Sequence, residues 1–406
     1  MIFLGVDWAE AHHDLCVMDE SGRVLAKRRV ADSLEGVREL HQLVGDHVRP
    51  DSGPGYVVVG IEKDRGLLVE SLVAAGYQVY ALNPLSVARY RERHVTSGAK
   101  SDALDAKVLA DLVRTDRANH RAVAGNSALA EALKVLARAH QGAIWAAQRE
   151  ANALRSALKD YYPGALSAFG DLSHPDTTAV LAIAPTPARG ARLSRAQLTA
   201  ALTRAGRVRN LERRAREIRE ALRAEQLRLP ELLEDAYGAT TLAHVAMISA
   251  YRAQIGALET ALAERFSQHP DADILSSLPG LGTVLGARAL GEFGDDPARY
   301  ADARSRKNYA ATSPVTKASG LSLVVLARYA RNGRLVDALE MWAFCSPTRS
   351  PGARAYYNQL RARRKTHRQA LRQLANRWVG IYHTCLERHE LYDEDLAWKH
   401  RIDLAA

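Results

Sequence analysis

The sequence predicts an α/β N-terminal domain followed by a long, mostly helical remainder. Short apolar runs that end in carboxylates or turns fill about the first 80 residues, as β-strands do. Aromatic residues make up only 6% of the chain while alanine is abundant, which favours helices over an all-β fold. At 406 residues the chain is too long for one ordinary core, so we expect two or three domains.

The N-terminal elements follow the order of three strands and then alternating helix and strand. Apolar runs predict strands at 2–7, 14–18, 24–30, 56–61 and 77–81. Helical spacing predicts helices at about 33–48, 65–75 and 102–114. Asn83-Pro84 is interpreted as a break. This is the order of the ribonuclease-H-like fold, in which the first and fourth strands lie side by side.

Four acidic residues occupy positions that can converge in such a fold. Asp7 ends the first strand and Glu62 the fourth, while Asp102 and Asp105 share one helix face. Each alone has an ordinary explanation, because acids are common in turns and at helix N-termini. Together they predict a site of oxygen ligands suited to Mg²⁺ (or Mn²⁺), the kind of site that acts on phosphodiesters. We therefore expect a nuclease, a transposase or a recombinase.

Histidine and lysine residues lie close to these acids in the sequence. His12 and His13 either support the acids or are exposed in a turn, which is the more frequent arrangement for such residues. Lys100 and Lys107 flank the acidic pair and either hold a phosphate or offset its charge.

The charge balance favours a polyanionic partner. The net charge is +10 and arginine far outnumbers lysine, which suits phosphate recognition, although an arginine-rich genome would give the same bias. Cys16, Cys345 and Cys385 are scattered and odd in number, which argues against a disulfide framework or a zinc finger. With no leader and no uncharged run of ~20 residues, we expect a cytoplasmic, nucleoid-associated protein.

The composition divides the chain into regions 1–125, 126–268 and 269–406. The middle region predicts a long antiparallel helical hairpin or coiled-coil arm for oligomerisation, with a plain helical bundle as the alternative. Residues 170–200 contain several prolines and are interpreted as a loop-rich insert near the tip of the arm. In the last region, Gly280 and Gly282 suit either a helix-hairpin-helix-like turn that approaches DNA or a turn between packed helices.

Three motifs together resemble one known family. They are the Lys-Ser-Asp-Ala-Leu-Asp-Ala block at 100–106, the Leu-Pro-Gly-Leu-Gly turn at 278–282, and the segment from Lys307 to Gly320 that contains Ala-Ser-Gly. The chain is similar over most of its length to transposases of the insertion-sequence 110 family, whose members are bridge-RNA-guided DNA recombinases.

The resemblance implies a division of catalytic roles. Asp7, Glu62, Asp102 and Asp105 match the metal-binding tetrad of a RuvC-like DEDD domain, and Ser319 matches the nucleophile of a mostly α C-terminal serine transposase domain. Donor and target DNA, a structured guide (bridge) RNA and a tetramer built as a dimer of dimers are implied in the same way. Two alternatives stay open: a metal-only junction resolvase or nuclease, and an inactive nucleic-acid-binding relative.

Clustered cations are further candidates for nucleic-acid binding. Arg328, Arg331 and Arg334 follow Ser319 and could hold the cleaved phosphate. The stretch from Tyr356 to Arg377 is either a nucleic-acid contact with two tyrosine stacking surfaces or a solvated helix. Its basic residues include Arg361, Arg363, Arg364, Lys365, Arg368 and Arg372.

The sequence departs from the family pattern at two positions where relatives usually have glycine. Ala311 makes the turn ahead of Ser319 tighter or shifted, and Arg364 adds charge and is expected to extend a helix.

Overall fold

The chain divides into two compact units. Unit 1 is Met1–Gly125 and unit 2 is Asn126–Ala406. The computed structural model describes residues 1–49, 53–94, 102–120, 122–123, 125–320, 322–328 and 331–402. Unit 1 is α/β with a mixed sheet and unit 2 is mostly helical, which confirms the predicted fold class at this level. Among the described helices, none is long and apolar enough to cross a bilayer.

Unit 1 is a sheet with helices on both faces. Its strands are β1 (Ile2–Trp8), β2 (His12–Met18), β3 (Val24–Ala31), β4 (Val57–Ile61) and β5 (Gln78–Ala81). Its helices are α1 (Leu34–Gly45), α2 (Leu67–Ala74), α3 (Pro84–His94) and α4 (Asp102–Thr115). The strand order is β3-β2-β1-β4-β5, with β1 antiparallel to β2 and parallel to β4. The first and fourth strands are therefore neighbours, as predicted.

Helix α3 is the main departure from the predicted order. Asn83-Pro84 was interpreted as a break in the chain, but in the structure a helix begins at Pro84. The Asn83 side chain accepts a hydrogen bond from the backbone N–H of Leu85 (2.9 Å). Proline is tolerated in the first turn of a helix, where its missing N–H has no intrahelical partner to lose.

Side chains alternate between the two faces of the sheet. Leu4 and Val6 on β1 pack in the core beneath α1 and α2. Phe3 points to the opposite face and packs against α4. Because the period of a strand is two residues, Gly5 and Asp7 share the face of Phe3 and therefore face α4.

Helix α4 lies directly on the sheet at a pair of glycines. Gly5 on β1 and Gly60 on β4 are register partners. A Cβ at Gly5 would overlap the carbonyl oxygen of Ala106, and a Cβ at Gly60 would lie 2.5 Å from that of Leu109. Only glycine permits this backbone-to-backbone approach, which sets the distance between α4 and the two central strands.

Replacement of Gly5 by alanine is expected to destabilise unit 1 by about 1–3 kcal/mol, because α4 must move away from the sheet. Chemical denaturation followed by hydrogen exchange in β1 and α4 measures this loss. Gly45→Ala is the matched control, since a Cβ there meets no atom within 4 Å. Equal stability of the Gly5→Ala and Gly45→Ala proteins would contradict the packing argument.

Unit 2 is built on two long antiparallel helices, α5 (Ala128–Tyr161) and α11 (Glu231–Phe266). His140 contacts Glu259 at 3.2 Å, whereas Tyr161 bonds to Thr241 at 2.7 Å, so the helices run in opposite directions. Each is about 50 Å long at 1.5 Å per residue. A helical hairpin is therefore present, while its use as an oligomerisation arm and the boundary near residue 268 stay predictions.

Five short helices fill the connection between α5 and α11. They are α6 (Pro163–Ala168), α7 (Pro175–Ile183), α8 (Pro187–Arg192), α9 (Arg195–Arg204) and α10 (Leu211–Arg223). The prediction of a loop-rich insert at 170–200 was therefore wrong. Pro163, Pro175 and Pro187 each stand in the first turn of a helix, a position that tolerates proline. We call residues 163–223 the helical insert.

The C-terminal part of unit 2 packs around a second, aromatic core at the other end of the α5–α11 pair. Trp342, Trp378 and Tyr382 are fully buried in it. Its helices are α12 (Ala272–Ser277), α13 (Gly282–Phe293), α14 (Ala303–Tyr309), α15 (Gly333–Cys345), α16 (Pro351–Ala362), α17 (His367–Arg388) and α18 (Glu394–Ile402). Its two strands are β6 (Val315–Ser319) and β7 (Ser322–Leu326). Gly280, between α12 and α13, lies against the backbone of Ser346, where a Cβ would be 2.7 Å from the nitrogen.

Ala311 and Arg364, where the resemblance leads us to expect glycine, both have left-handed backbone. The φ angle is 55° at Ala311 and 58° at Arg364. The expectation that Arg364 extends a helix was wrong, because α16 ends at Ala362 and the left-handed residue follows. Both positions therefore keep the backbone shape that suits glycine, at a cost in strain for a residue with a Cβ.

We expect Ala311→Gly to stabilise unit 2 by roughly 0.5–1 kcal/mol, because glycine adopts positive φ without the Cβ clash. Thermal unfolding measures the change. Ala338→Gly, in the buried middle of α15, should instead destabilise the fold. A lower melting temperature for Ala311→Gly would show that the left-handed turn carries no strain.

Candidate active site and metal centre

The four predicted acids converge on one cleft in unit 1. Asp7, Glu62, Asp102 and Asp105 all line a cavity of ≈ 470 Å³ at one edge of the sheet. Asp7 stands near the end of β1 and Glu62 directly follows its neighbour β4. Helix α4 begins at Asp102 and supplies the other two carboxylates from above the same face.

Two of the four acids are partly or largely shielded from water. Asp105 is buried, whereas Asp102 and Glu62 are exposed. Burial of Asp7, together with the charges of Asp105, Asp102, Glu62 and Asp14, raises the pKa of Asp7 to about 6. The direction of this shift follows from like charges held close together in a partly desolvated site.

Asp14 is a fifth carboxylate of the cleft that sequence reasoning missed. It lies on β2 directly opposite Asp7 and is buried. An acid at the start of the predicted strand 14–18, whose other residues are apolar, was the signal that could have identified it. Its own cross-strand partner on β3 is Arg29, which bonds to both oxygens of its carboxylate.

Two arginines partly balance the acids. The Arg29 guanidinium contacts Asp14 at 2.8 Å and reaches Asp102 at 3.3 Å, so it links β2 to the first turn of α4. Arg91, on α3, contacts Asp105 at 2.6 Å. Among the described residues, the lining of the cleft contains five carboxylates and, of the arginines and lysines, Arg91.

The two histidines lie within β2, so the expectation that they are exposed in a turn was wrong. His12 is half-buried and lines the cleft. His13 is only 1% exposed and contacts Asp32 at 3.2 Å. Ligand atoms of His12, Asp14 and Asp102 lie within 4.8 Å of one another, a spacing that a metal ion could bridge.

The donor set of the cleft fits a divalent metal ion. All five acids are oxygen donors, which Mg²⁺ and Mn²⁺ prefer. Burial and the neighbouring negative charges raise the pKa of Asp7, so the ionised form of this carboxyl is disfavoured without a further cation nearby. A bound divalent ion would relieve this repulsion.

Ser319 stands in unit 2, at the tip of the β6–β7 hairpin. It is exposed, and its register partner across the hairpin is Ser322. Gly320 follows it with φ of 55°, as a tight hairpin turn requires. The hairpin itself was missed, although Gly320 between two runs of β-prone residues is a hairpin signal.

The arginines after Ser319 have different surroundings. Arg328 bonds to Ser313 O at 3.3 Å and to Asn308 Oδ1 at 3.0 Å, so it holds the base of the hairpin. Arg334 bonds to the carbonyl oxygen of Arg138 at 3.0 Å. Arg331 is exposed.

The other predicted cations are mostly on the surface. Lys107 is exposed on α4, and Lys100 lies outside the described residues. Arg372 is half-buried, and the exposed ones are Arg361, Arg363, Arg364, Lys365 and Arg368. The two tyrosines are not the free stacking surfaces expected: Tyr356 packs against Trp398, and the hydroxyl of Tyr357 bonds to His367 at 2.8 Å.

Known proteins resemble this chain over its full length. A protein of the IS117 mini-circle of Streptomyces coelicolor, named as its transposase, is 43% identical, and the match covers 100% of this chain and 98% of that one. The 42 kDa protein of insertion element IS900 of Mycobacterium paratuberculosis is 29% identical over 96% of this chain and 97% of its own. The 43.6 kDa protein of insertion element IS110 of Streptomyces coelicolor is 28% identical, and the match covers 97% of this chain and 95% of that protein.

Two family models also match. One, described as a transposase with a DEDD domain of the IS110 type, matches residues 4–163. The other, described as the IS116/IS110/IS902 transposase family, matches residues 272–358. The chain belongs to the IS110 family of transposases. In this IS110-family transposase the first match contains the four acids and the second contains Ser319, while 164–271 lies outside both.

The raised pKa of Asp7 predicts a pH-dependent stability for the metal-free transposase. Above pH 6 the ionised Asp7 destabilises the folded state, and as pH falls from about 6 towards 3.8 the folded state takes up a proton before the unfolded state does. Asp7→Asn should therefore be more stable than wild type at pH 7.5, by roughly 1 kcal/mol after allowance for solvent screening.

Hydrogen exchange of β1 in EDTA measures this difference. The stability advantage of Asp7→Asn should shrink as the pH is lowered to about 4, where wild-type Asp7 is protonated as well. Addition of Mg²⁺ at pH 7.5 should reverse the order of the two proteins. An Asp7→Asn protein that is less stable than wild type in EDTA at pH 7.5 would show that the acids do not repel.

Proposed function

We propose that this transposase is an RNA-guided DNA recombinase that cuts and rejoins donor and target DNA through the hydroxyl of Ser319, with Mg²⁺ held by Asp7, Glu62, Asp102 and Asp105. The convergence of the four acids in one cleft carries this proposal. Membership of the IS110 family supplies the DNA as substrate.

The proposed fold of unit 1 is RuvC-like, within the ribonuclease-H-like class. The order β3-β2-β1-β4-β5, with only β1–β2 and β2–β3 antiparallel, supports it. The turn between α12 and α13 is proposed as a helix-hairpin-helix element in which Gly282, where a Cβ would meet no atom within 4 Å, faces the DNA backbone. Gly280 shapes this turn by packing.

Ser319 is proposed to attack a DNA phosphorus. Its Oγ forms a new O–P bond while the bond from phosphorus to the deoxyribose oxygen breaks, and the proton lost by the serine is balanced by one gained by the leaving oxygen. The product is a phosphoserine–DNA link and a free deoxyribose hydroxyl. Because one phosphoester replaces another, attack by the hydroxyl of a second strand can rejoin the DNA without an added energy source.

A divalent ion at the acids would polarise the phosphodiester and lower the pKa of a hydroxyl near it. The residues of the chain do the rest. Asp7 and Glu62 provide carboxylates fixed by neighbouring strands, and Asp102 and Asp105 provide carboxylates fixed by α4. Arg331 and Lys107, both exposed, are proposed to hold phosphates.

The serine and the acids belong to different units of the chain. We propose that they meet in a composite site formed between subunits of a tetramer, built as a dimer of dimers. Target choice is proposed to lie with a structured guide RNA encoded by the element. The exposed cations between α16 and α17 are suited to contact this RNA or the DNA.

Trapping the covalent intermediate tests the mechanism. Wild type, Ser319→Ala, Asp102→Ala and Ser322→Ala are incubated with Mg²⁺, labelled donor and target DNA, and RNA from the flanks of the element. Denaturing gels then separate protein–DNA adducts. We expect an adduct with wild type and with the matched control Ser322→Ala, and none with the other two, because nucleophile and metal site are both required.

Cleavage that persists in Ser319→Ala without any adduct would overturn the serine mechanism and leave a metal-only nuclease, in which water attacks. If the adduct forms equally well with and without the RNA, the proposal that a guide RNA directs the reaction would be contradicted.

A further inference from the structure

The helical insert contains one of two strongly basic stretches of this chain. Residues 187–223 contain eleven arginines, no lysine, no aspartate and three glutamates, a net charge of +8. The other stretch, 341–386, contains eight arginines, one lysine and no acid, and it includes the segment from Tyr356 to Arg377 described above. The whole chain carries only +10, so its positive charge is unevenly distributed, which a uniform arginine bias of the genome does not explain.

Several arginines of the insert are exposed and unpaired. The side chains of Arg189 and Arg192 on α8, and of Arg209 and Arg216 at α10, form no ion pair or hydrogen bond with any residue that the structure describes. Arg213, between the last two, is also exposed and makes only a loose contact of 3.7 Å with Glu217. Like charges spaced three and four residues apart repel each other, so this face lacks the alternation of signs typical of a solvated helix.

The fold does not need these exposed arginines. The insert is held by apolar residues such as Leu198, Leu202, Ile218 and Leu222, which are buried in one hydrophobic core together with residues of α5 and α11. The arginines that do stabilise it are different ones. Arg207 pairs with the buried Asp176 at 2.6 Å.

A groove along α9 adds a surface shaped for a sugar-phosphate backbone. It has a volume of ≈ 740 Å³, with Arg195 and Arg204 near the two ends of the helix. Thr199 and Thr203 contribute hydroxyl groups and the alanines between them are small, so a phosphate could approach closely. Glu212 is the one acid in its lining, and it contacts Arg195 only at 3.6 Å.

We propose that the helical insert is a nucleic-acid-binding module, separate from the catalytic site, that binds the phosphodiester backbone of a double helix through Arg189, Arg192, Arg209 and Arg216. Guanidinium groups suit phosphates in geometry and charge. The insert lies in the stretch that neither family model matches. The proposal goes beyond the recombinase function and rests only on the nucleic-acid partner that function requires.

Binding measurements on the full-length protein test this module. The four arginines are replaced together by glutamine, which keeps helix propensity. Fluorescence anisotropy then gives Kd for a labelled duplex of about 30 base pairs, made once as RNA and once as DNA, in EDTA. We expect affinity at 0.1 M salt to fall about tenfold or more, and the slope of log K against log salt to become shallower by ~0.9 for each phosphate that the variant no longer neutralises.

A control variant removes the same charge elsewhere. Arg28, Arg149, Arg265 and Arg304 are exposed and lie outside the insert and the acidic cleft, and all four are replaced by glutamine. Its affinity and salt slope should remain close to wild type. A larger loss on RNA than on DNA would assign the module to the guide, and the reverse would assign it to donor or target DNA.

The proposal is overturned if the insert variant binds both duplexes within about twofold of wild type, or if the control variant loses as much affinity. Failure here is separable from failure of the serine mechanism. At saturating nucleic acid the insert variant should still form the Ser319 adduct, whereas an incorrect catalytic proposal would leave wild type without an adduct.

Discussion

The direct contact between α4 and the central strands is the constraint on which the acidic cleft depends. Gly5 and Gly60 let the helix backbone rest on β1 and β4. Asp7 on β1 and Glu62 just after β4 stand two residues beyond these glycines, and Asp105 precedes Ala106 in the contacting helix. The distances among the carboxylates are therefore set by backbone packing, which is stiffer than any arrangement of side-chain rotamers.

Repulsion between the carboxylates of the cleft opposes the packing that brings them together. Five carboxylates are brought together, and Arg29 and Arg91 contact three of them, Asp14, Asp102 and Asp105, with opposite charge. The apolar cores on both faces of the sheet supply the free energy that holds these acids in place. A site of this kind is preorganised for a cation, because folding has already brought the negative charges together before a cation binds.

Much of unit 1 could be predicted from sequence because its signals are local. Apolar runs located β1 to β5, and parallel pairing of β1 with β4 brought Asp7 to Glu62. Asp14 was missed because its role depends on register, which a single strand does not reveal. The helical insert was missed for another reason: its prolines indicate helix starts as readily as loops, and tertiary packing decides between them. The pairing of Arg29 with two acids likewise requires the folded sheet.

The two elements proposed to be catalytic differ in how firmly the fold holds them. The acids are fixed by a buried sheet, whereas Ser319 ends a strand whose hairpin partner exposes Leu323 and Val325 by 69% and 60%. An isolated two-stranded hairpin is marginally stable in water, so burial contributes little to the position of the serine. Arg328 anchors only the base of this hairpin. If Ser319 is the nucleophile, as proposed, a residue held this loosely would be oriented by the surface that covers the hairpin, which agrees with the proposed composite site of assembled subunits and DNA.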